Sequence, residues 1–513
     1  MPRLIHSILF ITLSLTIQAA DYFVSNRHGN DKNDGRSPQS PWRSLNKLNT
    51  STFQPGDTIH LESDTTYRGT LTLKDSGSKK HPITLTNYGK GAKPHINALG
   101  NSPAAVHIKN AQGWIIKNLH LSNTGKTKRW LRYGIFIENT SLPTATFFHL
   151  NNLTISEVNG RPEKDKNAAA AIRFLADGKS KTRFDSILIE HCHVINCSRN
   201  GIIVHGGALR GPHWNPSTNI IIRHNLIEGV GGDGILTTSS KGPLVEWNVM
   251  RKCPPLGEAG AAAAGMWPWA CDDAVFQFNE VSGHQAWNDA QAYDCDYSCK
   301  NTLFQYNLSY NNHGGFMLIC SPGQPKHASW LTENALNHGS VVRYNLSIND
   351  GLRTIGHKNY FSPTFSLSGD STHNTQIYKN LIIIPQKPHP QIDSNLIAFN
   401  KWGRGTAQNT TFQNNVFVVL NKQQATFHFD PSIKNLTLSN NIFYGDVDPI
   451  KNSKEITQSN NTFSAHIPKK VSLSGPKEEL KLLHDFLKQK GNPQEKEGIK
   501  IDWNPTQNPS PNK

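Results

Sequence analysis

One short phrase recurs about eleven times along the 513 residues. A polar or aromatic residue is followed by Asn and then usually by a branched apolar residue, inside a strand-like run. It begins with Lys117-Asn118-Leu119 and Asn151-Asn152-Leu153. It continues with His224-Asn225-Leu226, Trp247-Asn248-Val249, Phe278-Asn279-Glu280, Tyr306-Asn307-Leu308 and Tyr344-Asn345-Leu346. Lys379-Asn380-Leu381, Asn414-Asn415-Val416, Asn440-Asn441-Ile442 and Asn460-Asn461-Thr462 complete the series. Most copies follow an alternating run such as Asn219 to His224, and many precede a Gly turn and a second strand, as at Asn200-Gly201 and Asp233-Gly234. Spacings of roughly 20 to 40 residues are those of a solenoid. Period-two strands with Asn and Gly at the corners predict stacked β-coils rather than helix pairs. A β-solenoid presents one long exposed face, and such a face suits a long polymer.

Length alone allows two or three domains, but a solenoid grows in one dimension, so one long domain is equally allowed. Hydrophobic residues at 36% suffice for a narrow continuous core. The net charge of +15 favours an acidic partner: a polyanionic glycan, a membrane surface or nucleic acid. Of the three, nucleic acid is the least favoured, on two grounds. The Lys and Arg residues are scattered without a nucleic-acid motif, and the N-terminus reads as an export signal.

In that signal, spanning 1–20, Arg3 supplies the positive region and Ile8 to Ile17 a short apolar stretch, followed by Ala19-Ala20. No segment approaches the ~18 apolar residues of a membrane span. The mature protein is therefore expected to be soluble, secreted or periplasmic, and a monomer. Seven Cys (192, 197, 253, 271, 295, 299 and 320) leave at least one thiol unpaired within a chain. Cys271, Cys295 and Cys320 fall near equivalent points of successive coils, which predicts an interior stack of free thiols rather than disulfides. No paired CxxC spacing suggests zinc.

Residues 21–99 read as an N-terminal cap and first coils, 100–470 as the β-helix with loop insertions, and 471–513 as a C-terminal helix and disordered tail. The cap candidate is an amphipathic helix from Trp42 to Leu48, with Ser40-Pro41 at its start. The tail helix is expected over Glu478 to Lys490. Insertions at Thr124 to Arg132, Arg161 to Asn167 and Ala208 to Pro216 should sit on one face as cleft walls. The opening series Tyr22-Phe23-Val24-Ser25, Gly29-Asn30-Asp31, Asp34-Gly35, Pro41-Trp42 and Pro55-Gly56-Asp57-Thr58 resembles the start of right-handed parallel β-helix proteins of the pectate-lyase-like superfamily. The resemblance implies an all-β, single-stranded right-handed parallel β-helix and an extracellular role on carbohydrate. That superfamily holds hydrolases, lyases, epimerases and phage-tail proteins, so it does not choose a reaction.

The densest chemistry runs from Asp233 to Cys320. Asp294 and Asp296, two apart in a strand, share one face at about 6.5 Å between Cα atoms, with Tyr293, Cys295 and Tyr297 facing inward. Paired carboxylates are what glycoside hydrolysis requires, one to protonate the leaving oxygen and one to attack or to activate water. The same pair could bind calcium or lie solvated on the surface. No cofactor is otherwise required. Asp273, rather than its neighbour Asp272, is the candidate third carboxylate, against the alternative of an Asx-type turn. Asp272-Asp273 resembles the adjacent aspartates of polygalacturonase-like hydrolases. The rest of that pattern is missing, and its catalytic residues are not carried over.

Trp267 and Trp269 lie two apart around Pro268 and should both face outward to stack on sugar rings, unless a loop buries them. His205, His284 and His313 are candidate sugar-binding or acid/base groups. Asp233 occupies an Asn/Asp-Gly corner shared with Asn200 and Asp350, and is a structural or substrate-binding residue. Asp289 and Glu258 stand at a similar level. Lys241 and Arg251 could meet an acidic sugar. Aligning the coils on their landmarks places Leu236, Trp267, Asp294 and Met317 at neighbouring levels.

Three function classes remain. The leading one is a glycoside hydrolase acting on a polysaccharide, acidic or sulfated in one version. The second is a polysaccharide lyase, which needs a Lys or Arg base beside a neutralised uronate. The third is a glycan-binding surface protein without catalysis. Aspartate and Trp dominate the dense region while Lys and Arg are sparse there, which favours the hydrolase.

Overall fold

The computed structural model describes residues 19–505 apart from 102, 166, 177–180, 208–213, 256–261, 322–335, 357–360, 403–404 and 492–497. Most of the predicted signal, Glu258, most of the 208–216 insertion and the end of the tail lie outside the described residues. Short strands follow one another around a flattened coil and pair in parallel with the coils before and after. They form three long parallel sheets of eighteen, twelve and fourteen strands. This is the right-handed parallel β-helix expected from the repeat. Inward side chains such as Ile135, Ile172, Ile202, Ile235, Met266 and Tyr293 form one continuous core.

The recurring phrase marks a corner of the coil, and its two residues do different jobs. The first adopts left-handed backbone, with φ of 52° at His224, 57° at Trp247, 53° at Phe278, 55° at Tyr306 and 52° at Tyr344. Bulky residues pay for that conformation. Here the side chains stack along the helix axis: Trp247 on Phe278 at 4.6 Å, Phe278 on Tyr306 at 5.0 Å and Tyr306 on Tyr344 at 5.7 Å. The Asn that follows turns inward and joins a ladder. Asn279 Nδ2 donates to Asn307 Oδ1 (3.1 Å) and Asn307 Nδ2 to Asn345 Oδ1 (3.0 Å). The backbone N–H of Asn279 and that of Asn307 donate to the same two oxygens, at 3.0 and 2.9 Å. The remaining amide hydrogen of Asn307 goes to Phe276 O.

The ladder runs from Asn225 to Asn461. The first two copies of the phrase are out of step with it. There Asn118 and Asn152 take the left-handed position (φ 61° and 51°), so Leu119 and Leu153 hold the inward place. Cys192 holds it in the next coil, its N–H donating to Asn225 Oδ1. Asn at this corner thus serves two positions, which a repeat read by eye merges.

Ladder bonds are buried, so breaking one orphans its partners. Asn307→Ala removes the acceptor for two donors of Asn279, the side-chain donor to Phe276 O and one of the two donors to Asn345 Oδ1. At about 1–3 kcal/mol per orphaned group, the expected loss is about 3 kcal/mol, read as a lower urea midpoint. An unchanged midpoint would mean that water replaces the ladder at no cost.

Both ends differ from expectation in detail. The first helix is Leu45–Thr50, capped by Ser44, whose hydroxyl accepts from Lys47 N. Trp42 lies outside it and bridges to Val24 instead, because the Ser44 cap starts the helix later than Ser40-Pro41 would. Leu45 and Leu48 pack on the end of the core. The second helix is Lys477–Gln489, and Leu480, Leu483, Phe486 and Leu487 cover the aromatic stack at Phe278, Tyr306 and Tyr344. Part of the tail is ordered, since Lys500–Pro505 pairs in parallel with Lys470–Gly475. Among the described residues no helix is long and apolar enough to cross a membrane.

All seven cysteines are free and buried. Cys271, Cys295 and Cys299 belong to the interior core, as expected of a thiol stack. Cys320 does not, for its Sγ turns to Asp296 Oδ1 at 3.4 Å on the outer side.

Candidate active site

The outer face of the twelve-stranded sheet carries the site. Strand alternation places two rows of side chains on it. One row is Phe136, Arg173, Ile203, Leu236 and Trp267, matched residue to residue across successive strands. Pairing of Met266 with Tyr293 carries the row on to Asp294, and Asp294 pairs with Leu318. The sequence alignment of coils thus holds at Leu236, Trp267 and Asp294 and slips by one at Met317, which pairs with Tyr293 and points inward. The second row is Glu138, Leu175, His205, Thr238 and Trp269. Asp296 follows on the next coil, its N–H reaching Pro268 O.

Trp267 and Trp269 both point outward, as alternation predicts, and line a cavity of about 610 Å³ with Arg173, His205, Asp233 and Lys164. Trp267 is only 3% exposed. Its indole is fixed by donating to Asp233 Oδ1 at 3.1 Å, while Lys164 Nζ lies 5.4 Å from its ring. Lys164, Asp165 and Asn167 of the insertion therefore form one wall. Trp269 is less covered and meets Tyr297 edge-on at 6.5 Å.

Asp233 is the keystone of this wall. Its Oδ2 pairs with Arg199 at 3.2 Å, and its Oδ1 also accepts from Ala264 N. Arg199 reaches Ala262 O as well. His205 Nδ1 meets the Thr238 hydroxyl at 2.8 Å. Burial, with Arg173 nearby, pushes the His205 imidazole down to about 4, so it is neutral.

On the coil after Trp267 and Trp269, Asp294 and Asp296 follow the two rows, and Asp289 lies close enough to act on both electrostatically. Asp294 is 6% exposed and its Oδ1 is buried without a partner among the described residues. Burial, and then the charges of Asp296 and Asp289, hold it well above the usual carboxylate range. Burial also lifts Asp296, to about 6, although Lys164, the Tyr297 N–H and the Cys320 thiol oppose the rise. Lys164 lies at the mouth with much of its surface in solvent. Burial works against its charge, but Asp233, Asp289 and Asp296 outweigh it and raise its affinity for the proton. Asp289 is half-buried with φ of 55°, and its carbonyl accepts from Arg353.

Several predicted residues fall elsewhere. Asp273 is exposed on a corner with φ of 54°, bonded to Asn301 Nδ2; it does not join the other carboxylates, and the turn reading applies. The strand leading to that corner ends at Trp269, so Asp273 is carried away from the cleft. His284 is fully buried with Nε2 against Gly232 O at 3.1 Å and has no surface to offer a sugar. His313 is half-buried beside Arg353, off the cavity lining, and burial pushes it down to about 4. Tyr297 does not turn inward, because its strand ends at Cys295; it packs between Trp269 and Trp402. Arg251 pairs with Glu228 on the fourteen-stranded sheet, and Lys241 is exposed on the eighteen-stranded one. Lys164, Arg173 and Arg199 were absent from the sequence reading. Arg173 alone left a trace, as a cation inside the apolar run Ala170–Ala176. Among the described residues no three His, Cys, Asp or Glu side chains converge as a metal site.

No protein-family model matches the chain. A curated lacto-N-biosidase from Bifidobacterium longum subsp. longum is 26% identical over 517 residues, covering 79% of this chain and 31% of that protein. The chain thus spans less than a third of that relative's length. Crystal structures of a GH136 lacto-N-biosidase from Eubacterium ramulus superpose with TM-scores of 0.62 and 0.61 at 26% identity. They cover 78% of this chain and 68% of theirs. The chain is a parallel β-helix, the fold these structures share with it. In this β-helix the cleft occupies the twelve-stranded sheet, and the cavity and carboxylates share one outer face.

Proposed function

We propose that the protein is a glycoside hydrolase exported from the cell, with Asp296 as general acid and Asp289 as the second carboxylate. The observation that carries this is the meeting of three aspartates beside an outward pair of Trp residues. The lacto-N-biosidase relatives support an oligosaccharide or glycan substrate. The Trp faces suit sugar C–H surfaces, and the site's size suits a few sugar rings. Access favours Asp289 over Asp294 as the partner, because both Asp289 and Asp296 keep solvent contact while Asp294 is sealed. Asp294 then acts as a buried, uncharged neighbour. Catalysis needs no cofactor in this reading, and the working form is a monomer. The basic net charge supports an acidic or sulfated glycan.

A lyase base would need a lowered pKa, whereas the surrounding carboxylates hold Lys164 protonated. The deciding experiment incubates the protein with neutral, uronic and sulfated glycans. New reducing ends without ultraviolet absorbance support the hydrolase, unsaturated ends the lyase, and neither product a binding protein. Activity lost to a chelator and restored by calcium would give the acidic cluster to a metal instead.

The pH profile tests the acid. A general acid works protonated, so kcat/KM should fall as pH rises through about 6. Lys164 holds Asp296 down, so Lys164→Gln should move that alkaline limb to higher pH. A limb that stays in place, or moves lower, removes Asp296 from the role.

A further inference from the structure

Arg173 is a buried cation without a hydrogen-bond acceptor among the described residues. It is 4% exposed and lines the same cavity as Trp267 and Trp269. Its Nε is sealed from solvent without a partner among the described residues, and its one contact of note is the Tyr133 ring at 5.6 Å. The other buried arginines are spent on the protein. Arg132 donates to Thr127 O and Gly100 O, Arg199 to Asp233 and Ala262 O, and Arg353 to Ala286 O and Asp289 O. Asp165, the nearby acid, is exposed on the lip, accepts from Asn167 N, and forms no ion pair with Arg173. Burying an unpaired charge costs several kcal/mol unless a partner is supplied. The guanidinium fork matches the two oxygens of a carboxylate or sulfate.

We propose that Arg173 forms a subsite for an anionic substituent, a carboxylate or a sulfate ester, on the glycan that fills the cleft. This rests on the hydrolase reading above. Arg173 lies four strands from Asp294 in the same row, about 19 Å at the usual strand spacing. The charged group would therefore sit at the remote end of the bound glycan, several sugars from the bond that breaks. The surface between is apolar, with Ile203, Leu236 and Trp267 in a row. A glycan lying there meets apolar walls along its length and one fixed cation at its end. Neutral His205 stands beside that cation and adds no competing charge.

The test measures equilibrium binding to full-length Asp296→Asn protein, which holds glycan without consuming it. Three probes are used: a neutral tetrasaccharide, the same with a terminal uronic acid, and the same with a terminal sulfate ester. The expected result is that one charged probe binds about tenfold or more tighter than the neutral one. Which charged probe wins separates the carboxylate source from the sulfate source. Adding Arg173→Gln should reduce that ratio to about one, and Arg173→Lys should keep part of it. The ratio is internal to each variant, so partial loss of folded protein does not imitate the effect. Equal binding of all probes, or a preference that survives Arg173→Gln, overturns the proposal, as does binding of none. Cleavage of the neutral probe by the unmodified protein without any charge preference leaves the hydrolase standing and removes the subsite. A charge preference that needs Arg173, with no glycan cleaved, does the reverse.

Discussion

Asp296→Asn is expected to lower kcat by about 10²–10⁴-fold, the usual contribution of a positioned acid. The substitution keeps the shape of the side chain. Its Oδ1 can still accept from the Tyr297 N–H at 2.8 Å and from the Cys320 thiol, so the coil should fold unchanged. What is lost is the proton that the leaving oxygen needs. Asp289→Asn should be as damaging, since glycoside hydrolysis uses both carboxyl groups. Asp294→Asn should cost less than about tenfold, because burial disfavours the charged form of that group. The three variants together discriminate. If Asp294→Asn is as severe as Asp296→Asn while Asp289→Asn is mild, the working pair is Asp294 and Asp296. If all three turn over near the wild-type rate on a confirmed substrate, the chemistry is elsewhere on the molecule.

The β-helix itself was legible because its signal is periodic. Each Asn of the ladder repeats the same local problem, a sharp corner with amide groups to satisfy, and nine such copies outweigh any single ambiguity. The outward row of Leu236, Trp267 and Asp294 was legible for the same reason, since alternation holds while a strand lasts. It failed where strands stop. Tyr297 lies two residues past the end of its strand and Asp273 four past the end of its own, so parity no longer says where they point. The partners of the site were hidden for a different reason. Lys164 comes from an insertion whose path over the sheet no local pattern encodes. Arg199 meets Asp233 from the preceding coil, 34 residues away. Asp289 precedes the strand that carries Asp294 and reaches it through a left-handed turn, which spacing along the chain does not reveal.

Asp233 shows how the fold and the cleft depend on one another, and Asp233→Ala should be costly to both. Its carboxylate is the acceptor for Arg199, the Ala264 N–H and the Trp267 indole. Arg199 and Asp233 have side chains only 1% and 5% exposed. Removing the acid leaves the guanidinium buried without its counter-charge, a loss of about 3–5 kcal/mol. Asp233→Asn should lose less, roughly 1.5–3 kcal/mol, because its amide oxygen can still accept from Ala264 and Trp267. The order of the two variants in urea midpoint therefore reports the charge separately from the hydrogen bonds. Function should follow the indole rather than the charge. Asp233→Ala frees Trp267 to leave its fixed orientation and should raise KM, while Asp233→Asn holds the ring and should keep KM closer to its original value. If Asp233→Ala unfolds at the wild-type midpoint, the Arg199 pair contributes nothing net. If KM then also stays constant, the Trp267 ring is not part of the sugar platform.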